Sequence, residues 1–131
     1  MTSSTLRRAA VGLAVAAVPA IAAPAALAAV NWQIPLAHSS AYPKATGSAQ
    51  YQAQGSSREF QAEADHLTSL AGSRVKLYVN GVRIGSPLVS KTGIAQVSRN
   101  TDLGQSVPNV VHGTTVVFRT AAGVKILSGT F

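Results

Sequence analysis

Three histidines, four carboxylates and no cysteine are the groups in this chain that could hold a metal or move a proton. A metal needs several such ligands to converge, and on an extended strand that means spacing of i and i+2, so that the side chains share a face. Asp65 and His66 are adjacent and should point to opposite faces, while Glu63 and Asp65 share a face but have Arg74 and Lys76 as ready partners. His38 and His112 lie in segments without regular patterning. No metal or other cofactor is expected. Nucleophilic hydrolysis needs a nucleophile, a base and an orienting acid; the best set available is Ser106, His112 and Asp102, all within one long connection, with no Gly-x-Ser-x-Gly elbow to present a serine. A glycosidase needs two carboxylates across a cleft, yet Glu59, Glu63 and Asp65 follow one strand face and leave only Asp102 to oppose them. No catalytic residue is assigned.

Positive charge is the remaining resource. Arg58, Arg74, Lys76, Arg83, Lys91, Arg99, Arg119 and Lys125 are spread along the chain from Gly47 onward, with no interleaved aromatic row of the kind that reads nucleic acid. Specific nucleic-acid binding is not expected. General attraction to a polyanion is, and an anionic cell-envelope polymer or another secreted protein are the partners this balance suggests.

These residues are delivered by a precursor. Arg7 and Arg8 precede an apolar stretch, Ala9 to Val18, which runs through Pro19 and Pro24 to Ala26 and Ala28. A basic start, an apolar middle and small residues at a small-x-small site define a secretion signal over residues 1–29, cleaved near Ala28 or Ala29 and leaving no membrane span. The residues after the Arg pair are alanines rather than strongly apolar, so the general secretory route is expected. Removal of Arg7 and Arg8 leaves nine bases against four acids, a net charge near +5. Without cysteine the secreted part has no disulfide and must be stabilised by packing.

Residues 30–46, with Pro35 and Pro43, read as an extended arm or linker in which Trp32, Ile34 and Leu36 alternate, a pattern compatible with a short strand or with an arm that folds back on the domain. Residues 47–131 show a period of two throughout, punctuated by Gly and Asn, and are expected to form one all-β domain: a small antiparallel β-sandwich or Greek-key barrel of about seven strands. Phe60, Ala62 and Ala64 alternate with acids and Gln, and Val75, Leu77 and Val79 with Arg74, Lys76 and Tyr78. A hairpin across Thr68 to Gly72 would set Asp65 against Arg74, Glu63 against Lys76 and Phe60 against Val79, agreeing in both charge and apolarity. Asn80-Gly81 predicts a type I′ turn, and Thr114 to Thr120 with Val124 to Ser128 predict a closing hairpin. Phe131 is expected to tuck into the core, which disfavours a C-terminal wall anchor.

Gly47-Ser48-Ala49, the Phe60 to Leu67 strand, Val79 to Val82, Gly104 to Pro108 and Ile126 to Phe131 together resemble small secreted bacterial β-domain proteins of uncharacterised function. The Gly47-Ser48-Ala49 start and the glycine-bearing last strand are similar to the CHRD domain, although the His-containing motif of that family is missing. The resemblance implies a secreted β-domain and supplies no catalytic residue. The leading expectation is a secreted, non-enzymatic binding or structural module, with Trp32, Asp102 and His112 as its contact surface, since binding residues favour loops on rigid scaffolds. A small secreted hydrolase and an inhibitor of a secreted protease are the alternatives.

Overall fold

Alternation of small or apolar residues with polar ones is carried into eight antiparallel strands in a computed structural model that describes residues 29–131. They are β1 (Val30–His38), β2 (Thr46–Gln54), β3 (Ser57–Asp65), β4 (Val75–Val79), β5 (Val82–Gly85), β6 (Ala95–Asn100), β7 (Thr115–Thr120) and β8 (Lys125–Thr130), with 3-10 turns at Thr68–Leu70 and Thr101–Leu103. Their order across the sheet is β5-β4-β7-β8-β1-β2-β3-β6. The two end strands curl toward each other until an Arg99 guanidinium N–H on β6 donates to the Ile84 carbonyl on β5, and Gly85 comes up against Val97. The result is a nearly closed barrel, which leaves little exposed edge for unwanted strand pairing. The signal-peptide expectation over residues 1–29 lies, but for Ala29, outside the described residues.

β1 joins the two halves. Val30 to Leu36 pair with β2, whereas Ala37 and His38 pair with β8. Residues 30–38, expected as an arm, are thus an integral central strand, and Val30, Trp32, Ile34 and Leu36 face inward as their alternation allows. Close approach at this corner depends on Gly47: a Cβ there would lie 2.5 Å from the Glu63 carbonyl oxygen and 2.8 Å from Leu127. Toward the middle of the barrel the inner face of β2, β3 and β6 is built from Ala49, Ala62, Ala64 and Ala95, with Tyr51, Phe60 and Val97 beside them, and the opposite half supplies Leu77, Phe118, Ile126 and Leu127 to the same core. Small residues on one wall leave room for large ones on the other, which is how a core of this size fills without voids.

The expected hairpin between β3 and β4 does not form. β3 pairs with β2 over nine consecutive positions, Thr46↔Asp65 to Gln54↔Ser57, and with β6 on its other side; β4 pairs with β5 and β7. Ala62 and Ala64 are small enough to accept any apolar neighbour, so apolarity did not distinguish the two registers. The longer ladder, closed by the tight Gly55 turn at low entropic cost, takes precedence over two ion pairs at the surface. Glu63 consequently stands opposite Ser48 and Gln96, and Lys76 opposite Arg119.

Other local expectations hold. Asn80 and Gly81 both have positive φ, 49° and 79°, in the hairpin between β4 and β5. Ile126 and Leu127 are consecutive yet both fully buried, because a register shift between Phe118 and Arg119 inserts one extra residue in β8. Phe131 packs against the core and meets Phe60 edge-on at 6.4 Å.

Candidate functional site

One end of the barrel gathers the start of β1, the Asn80-Gly81 turn, the end of β6 and the connection from residue 101 to 114. Val107 and Val110 of that connection are buried, so it is packed across the barrel end. His112 is carried to Trp32 and stacks on its indole, ring centroids 4.4 Å apart and planes 29° from parallel. Tyr51 and Phe131 flank the indole at 6.2 and 6.4 Å. Trp32 therefore closes the barrel end with one face on the core and one under an exposed imidazole.

Trp32 is the only tryptophan in the sequence, so intrinsic fluorescence reports this stack directly. His112→Ala is expected to change the emission intensity and to cost about 1 kcal/mol of stability, with the far-ultraviolet circular dichroism unaltered. An emission spectrum identical to that of the parent protein would show that the stack is not maintained in solution.

Asp102 is held elsewhere. Its Oδ1 accepts a hydrogen bond from Ser57 Oγ at 2.9 Å, and its backbone N–H donates to Asn100 Oδ1 at 2.8 Å. Together with Asn31, Gln52, Glu59 and Asn100 it borders a groove of about 310 Å³. Ser106 lines a different cavity. The set of Ser106, His112 and Asp102 is thus dispersed among three environments, and among the described residues no hydrogen bond joins any two of them. Of the three residues expected to form a contact surface, the fold brings Trp32 and His112 together and leaves Asp102 apart. Among the described residues no three His, Asp or Glu side chains cluster as metal ligands would. No described helix is long and apolar enough to cross a membrane.

Comparison with protein-family models, curated proteins and solved structures finds no match. The surface chemistry must therefore be taken from the chain itself.

That chemistry is divided between the two halves of the barrel. The outer face of β1, β2, β3 and β6 carries cross-strand rows of amides and acids: Asn31, Gln52, Glu59 and Asn100 in one, Gln33, Gln50, Gln61 and Ser98 in the next. All four acids of the sequence lie on β3 or in the turn after β6. The outer face of β4, β7 and β8 is the converse. Lys76 stands opposite Arg119, and Arg119 opposite Lys125, so three bases form a continuous row, with Tyr78 paired to Arg83 beside them. Adjacent strands are about 4.8 Å apart, which places the three backbone positions within roughly 10 Å; the Arg119 guanidinium donates to the Gly123 carbonyl at 3.0 Å in the turn beyond.

Three of the bases that look scattered in sequence are thus neighbours in space. Alternation alone puts Lys76 and Arg119 on outer faces, since Val75 and Leu77, Phe118 and Thr120 are buried. What sequence reasoning missed was the pairing of β4 with β7, two strands separated by some 40 residues of chain.

Proposed function

We propose that the protein is a secreted, non-enzymatic β-domain that holds an anionic polymer of the cell envelope against the outer face of β4, β7 and β8. The observation that carries this reading is the row formed by Lys76, Arg119 and Lys125. Like charges directly opposite on neighbouring strands repel, by a few tenths to about 1 kcal/mol for each pair. The residues paired with these bases are themselves basic, so an external polyanion is the natural source of countercharge. Its binding would release the small ions condensed along the polymer, and the interaction would weaken steeply as salt rises. Tyr78, half-buried beside the basic row, gives the face an apolar anchor.

The test is cosedimentation of the protein with isolated cell envelopes at about 50 and 300 mM salt, spanning the range over which screening at these distances becomes effective. The expected result is retention at low salt, loss at high salt, and at least tenfold weaker retention of a Lys76→Gln, Arg119→Gln, Lys125→Gln variant. That variant should fold normally, since the three side chains lie outside the core and their mutual repulsion is removed. Equal retention of the variant would overturn the reading. Salt-resistant capture of one secreted protein would instead favour the inhibitor role.

A further inference from the structure

Where the two ends of the sheet approach, they do not seal. A cavity of about 500 Å³ opens between the β4–β5 hairpin and the connection after β6, lined by Val79, Val82, Ile84 and Pro108 together with Arg83 and Arg99, and by the polar side chains Asn80, Ser106 and Asn109. This volume is within the range of small-molecule sites, and mostly apolar walls with a few convergent polar groups are the usual composition of such sites.

Arg99 is the informative residue. It stands opposite Phe60 on β6, in the same alternation as Ala95 and Val97, so it occupies an inward position at the end of the barrel where the neighbouring inward residues are apolar. It is half-buried, and among the described residues its one protein acceptor is the Ile84 carbonyl. A guanidinium has five N–H donors in a planar fork, so the greater part of its hydrogen-bonding capacity is left for something outside the protein fabric. Arg83 adds a second positive charge to the same lining, and no acid is part of it. The Arg99 fork above aliphatic walls, with the Arg83 charge at the rim, matches a carboxylate carried on an apolar body: the fork binds both oxygens, and Val82, Ile84 and Pro108 cover the rest. With no aromatic side chain in the lining to stack on a sugar ring, the walls favour an aliphatic or aryl acid over an acidic sugar.

We infer that the cavity at the sheet ends binds a small organic carboxylate with an apolar body, held by Arg99 and Arg83. This site is distinct from the row of Lys76, Arg119 and Lys125 and does not depend on it, although Arg83 borders both. Nitrogen–proton correlation spectra of the purified protein, titrated with 4-phenylbutyrate and with its neutral amide, test the assignment. Saturable shifts are expected at Val79 to Ile84 and Ser106 to Asn109, with the acid bound at least about tenfold more tightly than the amide, as one charge-assisted contact provides. Arg99 bridges the sheet ends, and its replacement could disturb folding; Arg83→Gln and Val82→Asp are therefore the variants of choice, Val82 being 64% exposed. Arg83→Gln should weaken binding of the acid several-fold and leave that of the amide nearly unchanged, whereas Val82→Asp should weaken both, the acid more than the amide. Equal binding of acid and amide, no saturable shift with either, or unchanged affinity in Val82→Asp would each overturn the inference. Loss of envelope retention with phenylbutyrate binding intact would remove the polyanion reading and leave this one standing.

Discussion

Gly93→Ala is expected to destabilise the fold by about 3 kcal/mol, the sum of a left-handed backbone imposed on a residue with a Cβ and of overlap in a packed site. Gly93 has φ of +87°, and a Cβ built on it would lie 2.7 Å from the Thr68 nitrogen and 2.8 Å from the Leu67 nitrogen. Neither atom can give way cheaply. The Leu67 N–H donates to the Gly93 carbonyl at 2.9 Å, so the turn from Ser90 to Gly93 is docked backbone to backbone on the segment that carries the chain from β3 to β4. The measurement is a thermal melt followed by circular dichroism, with an expected fall in Tm of roughly 12 to 24 °C. A fall of only a degree or two would mean that this turn is not docked as described.

The second large effect is expected at the opposite end of the core. Phe60 is fully buried, stands between Tyr51 on β2 and Arg99 on β6, and meets Phe131 edge-on. Phe60→Ala should cost about 4 kcal/mol, from lost apolar burial and from the cavity left behind. It should also be felt at Trp32, because Phe131 packs on both rings. Chemical denaturation followed by tryptophan emission therefore reads two consequences at once: a lower midpoint and an altered folded-state spectrum. A lower midpoint with the native spectrum unchanged would show that Phe131 does not couple Phe60 to the indole. Phe60→Leu, which retains most of the volume, should recover much of the stability.

Which parts of this architecture can be read from sequence follows from the range over which each feature is specified. The type I′ turn at Asn80-Gly81 and the last hairpin are local, depending on residues a few positions apart, and both are present as expected. β1 is less legible because it changes partner midway and carries Pro35, which suggests a linker to any reading based on breakers; Pro35 is tolerated at the exposed position opposite Ser48. The β3–β4 pairing was attractive because charge and apolarity agreed, but it competed with a longer ladder made of Gln, Ser and Ala, residues that signal no preferred partner. The candidate surfaces suffer most from this. Lys76, Arg119 and Lys125 become neighbours only when β4 crosses over to β7, and Arg99 and Arg83 meet one cavity only when the sheet ends curl together. Trp32 and His112 could each be singled out as unusual residues, whereas their stacking depends on the path of the whole connection from residue 101 to 114.

The division of charge between the two halves of the barrel gives the molecule a permanent electric dipole that runs from one outer face to the other. At a negatively charged boundary it selects a single landing orientation. A layer formed there would be polar in the crystallographic sense, every molecule the same way up, with the basic row against the support and a uniform carpet of glutamine and asparagine turned to the medium. Such a carpet is hydrated and, with Glu59 and Glu63 standing among the amides, weakly acidic. Because the chain as a whole is cationic, adsorption would still lower the charge of the boundary, a change that zeta-potential measurements on coated particles would register as a shift toward zero.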